Sequence, residues 1–375
     1  MKINKIVFFI VCLFSIGKVA HAQSLTDKYA TKETIALYKN LHRLAKTHVL
    51  FGHQDDLAYG VGWKYIADKS DIKDVVNDYP AVYGWDIARI ELDSTKNIDG
   101  VPFAKMRKYI QDGYQRGGVI TLSWHFDNPL SGGSAWDTTK NAVASILPGG
   151  EKHELYKTWL DKAAKFMHTL KGSKGEAIPI LFRPFHELSG NWFWWGKNHC
   201  SPEDLKKAWQ FTINYLKNDK KLHNLIIVYN TNGIKTEQEF LERYPGDDLV
   251  DVVSFDLYQF NDNKNAFINA VRDNLTIINK IAKERNKLLA FAETGYEAVP
   301  DPKWWTETLQ PAIKGFPLSY VLVWRNAGYS QSMKKMHYYA PFKTQISEAD
   351  FQKFYRNKNV LFEKSLGKKK IYQTN

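Results

Sequence analysis

Short apolar runs rich in β-branched and aromatic residues alternate along the chain with longer segments whose apolar residues follow helical spacing. The runs lie at 49–54, 81–87, 119–126, 179–187, 225–230, 252–259, 288–295 and 320–327. Such alternation indicates repeated βα units on a parallel sheet. Eight runs predict a closed barrel, so the fold class is α/β with a single (β/α)8 TIM barrel. A doubly wound open sheet is the alternative, but no G-x-G-x-x-G follows any run.

The segments between the runs carry signals for helix starts and apolar faces. Ser201 followed by Pro202 predicts a helix N-cap and a first-turn proline, and Asp301 with Pro302 repeats this signal. One helical face before the first run is apolar, at Leu37, Leu41, Leu44 and Ala45, and another follows Ser201, at Leu205, Ala208, Trp209 and Leu216.

The N-terminus has the three parts of an export signal. Lys2 and Lys5 precede an apolar run at 6–16, and small residues at Ala20 and Ala22 follow it. The run is too short to span a bilayer of about 30 Å. We therefore predict a signal peptide at residues 1–22, a (β/α)8 domain at residues 23–375, and an exported protein that is periplasmic or secreted without a membrane anchor.

Charge and aromatic content narrow the class of ligand. The formal net charge is +12, but the basic residues are scattered except for the lysines at 368–370, which we interpret as solvated surface. No nucleic-acid partner is predicted, because that would require a clustered basic face. Aromatic residues make up 14% of the chain, with twelve tryptophans. They fill either a large core or a carbohydrate site, since sugar C–H faces stack on aromatic rings.

Polar and aromatic residues end most of the predicted strands. In a (β/α)8 barrel the active site lies at the C-terminal ends of the strands, so these residues are expected to converge there. The strand-end groups are 124–125, 186–187, 256–258, 293–295 and 324–326.

Two of these residues, Glu187 and Glu293, end the fourth and seventh strands and would face each other across the barrel mouth. Cleavage of a glycosidic bond needs one protonated carboxyl group to donate to the leaving oxygen and one ionised carboxylate to attack the anomeric carbon. A lone glutamate at a strand end is as often a salt-bridge partner, but the pair on these two strands favours catalysis.

The block FRPFHELSGNWFWWG at 182–196 resembles the acid/base signature of glycoside hydrolase family 26, whose members are mostly β-mannanases, and FAETG at 291–295 resembles its nucleophile segment. The resemblance extends in order from about residue 30 to about residue 360. It implies that Glu187 is the general acid/base and Glu293 the nucleophile of a retaining hydrolase. It also implies six substrate-binding residues. Tyr258 hydrogen-bonds the nucleophile, Trp324 is the platform under the sugar being cleaved, and Trp192 is an aromatic wall on the side of the leaving group. His125 and Arg325 contact sugar hydroxyls, and His186 stands where the wider clan has asparagine.

Other kinds of chemistry have weaker support in the sequence. Neither the group at 53–56 nor His199 with Cys200 has a recognised spacing of metal ligands, so we predict no metal, no cofactor, and hydrogen bonding within loops. A serine hydrolase would need a G-x-S-x-G elbow, which the sequence lacks.

The polymer and the position of cleavage stay open at this stage. We predict a hydrolase of β-1,4-mannan or manno-oligosaccharides, with β-1,3-xylan or mixed-linkage glucan as alternative substrates. A non-catalytic polysaccharide-binding barrel is a further alternative, and the oligomeric state is unknown. The segments between the third and fourth strands and at 55–79 are long. They either close the cleft into a pocket that releases mannobiose from chain ends or border an open groove.

Overall fold

A computed structural model describes residues 24–331 and 333–374, and the predicted signal peptide lies outside these residues. Eight parallel strands form a barrel, each pairing with the next in sequence. Leu50 in the first strand pairs with Tyr320 in the last, which closes the sheet and confirms the predicted (β/α)8 TIM barrel. The strands, β1 to β8, are Val49–Gln54, Val82–Asp86, Val119–Ser123, Ile180–Arg183, Leu225–Asn232, Val252–Gln259, Leu288–Tyr296 and Leu318–Val323.

Helices cover the outside of the barrel. The predicted helix start at Ser201 is confirmed, because the Ser201 side chain accepts a hydrogen bond from the amide of Asp204 and Pro202 occupies the first turn. Asp301 instead caps a turn, and the helical segment begins later, at Trp305. The helices are Lys32–Leu44, Asp71–Val76, Phe103–Gln115, Ala142–Ile146, His153–His168, Pro202–Asn214, Glu237–Leu241, Lys264–Glu284, Gln310–Ile313, Glu348–Tyr355 and Glu363–Gly367, with π-helical turns at Tyr215–Asp219 and Trp305–Leu309.

Side chains that alternate along the strands divide between two apolar cores. Leu50, Val82 and Ile226 belong to the core inside the barrel, which the buried face of Lys32–Leu44 closes from below. Phe51 and Tyr83, one position later on their strands, pack outward against the helices. This period of two follows from the pleat of a β-strand. The same alternation predicts which residues near the C-terminal ends of the strands point into the barrel.

Three strands end three or more residues earlier than the sequence predicts. β3 ends at Ser123, β4 at Arg183 and β8 at Val323, so the groups at 124–125, 186–187 and 324–326 lie in the loops that follow. After β4 the chain turns sharply, with positive φ angles at Phe185 and Glu187. His125, Glu187 and Trp324 are therefore placed by the loops at the barrel mouth, whereas Tyr258 and Glu293 lie within strands.

The loops after β1 and β8 contain additional structure. The long segment after β1 forms a small hairpin, Tyr59–Gly60 paired with Trp63–Lys64, and the segment after β8 forms another, Gly328–Ser330 paired with Lys335–His337. Within residues 24–331 and 333–374, none of the helices is both long and apolar enough to cross a membrane.

Candidate active site

A layer of polar side chains lies inside the barrel above the apolar core. Arg183, Asn230 and Asp256 occupy the positions that continue the inward alternation of Leu181, Val228 and Val252. Arg183 donates to Oδ2 of Asp256 at 2.6 Å and to Oδ1 of Asn230 at 3.1 Å. Asn230 in turn donates to Oδ1 of Asp256 at 2.8 Å. Burial of these charges is tolerated because each is paired and hydrogen-bonded. The layer is a rigid base for the groups above it.

A β-bulge in β7 turns Glu293 into the barrel. Leu288, Ala290 and Ala292 point inward, so strict alternation would direct Glu293 outward. The register with β6 instead shifts by one residue, pairing Phe255 with Phe291 but Asp256 with Glu293. A bulge of this kind re-aims a side chain. It brings Glu293 to the same inner face as Asp256.

Two donors hold the carboxylate of Glu293, which is only 5% exposed. The guanidinium of Arg183 forms an ion pair with Oε1. The hydroxyl of Tyr258 donates to Oε2 at 2.9 Å, in agreement with the contact that the sequence resemblance implies. Both donors fix the orientation of the carboxylate. Arg183 was not among the residues that we selected from the sequence.

Glu187 lies on a tight turn after β4. Its own φ is 51° and that of Phe185 is 47°, in the left-handed region that non-glycine residues avoid. Such conformations cost about 1–3 kcal/mol each and cluster at functional sites. Asn230 stabilises the turn, because its Oδ1 accepts the backbone N–H of Glu187 at 2.8 Å. The indole N–H of Trp192 donates to Oε2 of Glu187 at 2.6 Å.

The two glutamates differ in their electrostatic surroundings. Burial in the aromatic wall, together with the negative charge of Glu293, raises the pKa of Glu187 to about 7. Glu293 has the ion pair with Arg183, whereas Glu187 has a neutral indole as its donor. Glu187 thus has the raised pKa that a proton donor at neutral pH requires.

The carboxylates of Glu187, Asp256 and Glu293 converge. One oxygen from each lies within 4.8 Å of the others, a geometry that could also hold a metal ion. The guanidinium of Arg183 already supplies a positive charge to two of the three, Asp256 and Glu293. The close approach of Glu187 and Glu293 is nearer to the about 5–5.5 Å of retaining glycosidases than to the about 6.5–9.5 Å of inverting ones.

A buried histidine pair adjoins the glutamates. Nδ1 of His125 contacts Oδ2 of Asp86 at 2.7 Å, and Nε2 of His125 contacts Nε2 of His186 at 2.9 Å. Burial opposes protonation of His125, but Asp86 outweighs it and raises the pKa of this imidazole. Burial and the positive His125 lower the pKa of His186 well below its ordinary value. His125 is therefore the donor in this pair, and His186 lies behind it as a support.

Aromatic residues form the walls of a cavity of about 460 Å³ beside Glu187. Trp192 and Trp324 are partly exposed there, whereas Trp194 and Trp195 are fully buried and pack in the core. Trp136, which we did not select from the sequence, is half exposed and stacks on His125 with ring centroids 5.3 Å apart. The cavity is lined by Glu187, Trp192, Asn232, Gly233, Leu257, Tyr258, Phe260, Trp324 and Tyr339.

Arg325 lies at the opposite end of the site from Trp192, held by two residues that sequence reasoning missed. Its Nε pairs with Oδ1 of Asp99 at 3.1 Å, and it approaches the hydroxyl of Tyr59. Tyr59 donates to Asp55 at 2.5 Å. The neighbouring Asn326 has a structural role, because its side chain bonds Asp71 and the backbone of Ala340. No sequence signal joined these residues, which come from the segments after β1, β2 and β8.

The residues considered as metal ligands are instead bonded within the protein. Nδ1 of His53 contacts Asp56 at 2.7 Å. His199 contacts the backbone carbonyl of Asn191, and the thiol of Cys200 contacts that of Trp195. These are the loop hydrogen bonds that the sequence predicted.

Comparison with known proteins identifies the family. Residues 26–338 match the model of glycosyl hydrolase family 26. A mannan endo-1,4-β-mannosidase of Bifidobacterium adolescentis is 32% identical over 91% of this chain, and the chain spans about a third of that relative, 36%. A mannan endo-1,4-β-mannosidase of Bacillus subtilis is 26% identical over 78% of this chain and 80% of its own length.

Solved structures of the same family share the fold closely. A GH26 β-mannanase from Bacteroides ovatus is 44% identical, with a TM-score of 0.87 over 92% of this chain and 98% of its own. The catalytic domain of an endo-β-1,4-mannanase from Bacillus sp. JAMB-750 is 30% identical, with a TM-score of 0.83 over 91% and 94% of the two chains. Together with the barrel and the paired glutamates, these matches show that the chain belongs to glycosyl hydrolase family 26.

Proposed function

We propose that this protein hydrolyses β-1,4-mannosidic linkages in mannan or manno-oligosaccharides with retention of configuration. The observation that carries the proposal is the pair Glu187 and Glu293, whose carboxylate oxygens lie within 4.8 Å while their surroundings differ. Membership of family 26 and the mannanase names of its relatives support mannan over other β-linked polymers. Export of residues 23–375 as one catalytic domain, to the periplasm or the medium, stays a prediction from the N-terminal sequence.

The proposed reaction has two displacement steps. In the first, the Glu293 carboxylate attacks the anomeric carbon while Glu187 gives its proton to the departing oxygen, so the glycosidic bond breaks and a glycosyl ester forms. In the second, Glu187 takes a proton from water, whose oxygen displaces Glu293 from the sugar. The raised pKa of Glu187, about 7, leaves it protonated in part at neutral pH for the first step.

The surrounding residues position the sugar and the carboxylates. We assign the platform beneath the sugar being cleaved to Trp324, the wall on the side of the leaving group to Trp192, and polar contacts with sugar hydroxyls to Arg325. Both ring nitrogens of His125 are bonded within the protein, to Asp86 and His186, so we assign His125 a supporting role beside the sugar. Tyr258 orients the nucleophile through its hydroxyl. His186 is 1% exposed and acts through His125 rather than on the sugar.

A panel of soluble mannans, xylans and mixed-linkage glucans tests the substrate class. Wild-type protein is expected to release reducing sugar fastest from mannan. Faster release from xylan or glucan would contradict mannan as the substrate but would still agree with a glycosidase mechanism. Binding without release from any polymer would instead support the non-catalytic barrel.

Replacement of Trp324 by alanine is expected to weaken catalysis without unfolding the protein. The ring is partly exposed and lines the cavity, so its removal leaves no enclosed void in the core. Loss of stacking should cost on the order of 1–3 kcal/mol in kcat/KM, by analogy with base stacking. Trp324→Phe is the matched control and should recover part of the loss. A thermal unfolding midpoint that falls as far as that of a core tryptophan variant, Trp195→Ala, would contradict the platform role.

The hairpins on the side of the cleft opposite Glu187 are the basis for a prediction of where along the polymer the enzyme cuts. The hairpins after β1 and β8 meet there, since a Cβ added at Gly328 would lie 4.0 Å from the carbonyl oxygen of Gly60. We expect them to limit the non-reducing side of the cleft to two sugars. Early products from a long unbranched mannan should then be mannobiose, with slow loss of viscosity. An immediate ladder of mixed lengths would show an open groove instead.

A further inference from the structure

Phe260, the residue directly after β6, has the most exposed large apolar side chain among the described residues that line the cavity. Its ring is 88% exposed. Single exposed apolar residues are ordinary on protein surfaces. Phe260, however, lines the same cavity as Glu187 and Trp192, so its open ring faces the space that substrate must enter.

The position of Phe260 around the barrel places it on the leaving side of the cleft, where the sugars of the departing part of the polymer bind. The proton donor Glu187 must lie beside the departing oxygen, and it follows β4. Trp192 follows the same strand, Asn232 ends β5, and Phe260 follows β6. These residues form one wall of the cavity. Trp324, which follows β8, belongs to the other wall.

The ring of Phe260 has a free face. Its neighbour Tyr258 lies 6.3 Å away, centroid to centroid, with the planes tilted by 40°, so the two rings do not stack. The hydroxyl of Tyr258 is occupied by Glu293. Trp192 donates a hydrogen bond to Glu187, and we assigned it above to the sugar next to the cleaved bond. Phe260 lies at the rim of the cavity, so its ring is available to a sugar farther along the polysaccharide.

We propose that Phe260 is a stacking platform for a leaving-side sugar beyond the one next to the cleaved bond, and that it thereby favours transfer to sugar acceptors. The proposal rests on the retaining hydrolysis proposed above. In the second displacement, either water or a sugar hydroxyl attacks the anomeric carbon, the ester bond to Glu293 breaks, and Glu187 receives the proton. A sugar held on Phe260 raises the local concentration of acceptor hydroxyls relative to water.

Phe260→Ala separates this role from the core chemistry. The variant is expected to lower kcat/KM on mannohexaose about tenfold, the effect of losing one stacking contact. Hydrolysis of an activated aryl β-mannobioside, whose small leaving group does not reach the rim, should change by less than about twofold. The ratio of transfer products to hydrolysis products from mannohexaose, measured by mass spectrometry, should fall as well.

Two further variants serve as controls. Phe260→Tyr keeps the ring and is expected to retain both the rate and the transfer ratio. Tyr29→Ala removes a ring that is 63% exposed just before the helix Lys32–Leu44, which closes the barrel from below, and should change neither.

The outcomes distinguish failure of the inference from failure of the proposed function. If Phe260→Ala loses the same fraction of activity on both substrates, the platform role of Phe260 is overturned. It is also overturned if neither the rate nor the transfer ratio changes in this variant. Both results leave the hydrolysis by wild-type protein unaffected. Absence of wild-type hydrolysis of both mannohexaose and the aryl mannobioside would instead overturn the retaining mannanase itself. A selective loss on mannohexaose, reversed in Phe260→Tyr, supports the platform.

Discussion

Glu293→Ala is expected to reduce turnover of every β-mannoside by about 10⁴-fold or more, because a covalent mechanism has no route without its nucleophile. Activated aryl substrates should be affected as strongly as mannan, since a good leaving group does not replace the attacking carboxylate. The loss is measured as kcat on mannan and on an aryl β-mannobioside. Glu151→Ala, which removes an exposed glutamate, is the matched control and should retain wild-type rates.

Azide provides a second measurement for the Glu293→Ala variant. With the carboxylate removed, a small anion can enter beside Arg183, whose guanidinium remains directed at the same place. Attack by azide from that face on an activated β-mannoside should yield the α-mannosyl azide. Formation of the β-azide would contradict the assignment, because it would place the missing group on the other face of the sugar.

The position of Glu293 illustrates what the sequence could and could not predict. The apolar run at 288–295 and its polar end were sufficient to place a glutamate at the mouth of the barrel. Strict alternation along β7, however, would point Glu293 outward with Phe291, and only the bulge beside Ala292 reverses this. A bulge depends on pairing with neighbouring strands, so no local pattern in the sequence reveals it.

The groups that support the site were harder to predict for the same reason. Arg183 lies within the block that resembles family 26, yet its partners Asn230 and Asp256 are on other strands. Asp86 ends β2 and contacts His125, which follows β3. Asp99 lies in the segment after β2 and pairs with Arg325, which follows β8. The sequence therefore predicted the residues that carry recognisable motifs, whereas the contacts between distant segments required the three-dimensional arrangement.

Glu187→Ala should have an effect that depends on the leaving group. On mannan, the sugar oxygen cannot depart without a proton, and we expect a loss of about 10²–10⁴-fold in kcat/KM. On a dinitrophenyl β-mannobioside, the first displacement needs no acid, so the burst of phenol should persist. The second displacement then lacks its base, the glycosyl-enzyme accumulates, and kcat and KM should fall together. Equal loss on both substrates would contradict the assignment of Glu187 as acid and base.

The pH profile tests the same assignment by an independent route. Burial and the nearby charge of Glu293 raise the pKa of Glu187 to about 7. The acid form is the active one in the first step, so kcat/KM on mannan should decline as the pH rises through about 7. In Glu187→Ala the group that titrates is absent, so the residual kcat/KM on mannan should no longer decline over that range. If the alkaline decline persists in this variant, another group carries the proton and Glu187 is not the acid.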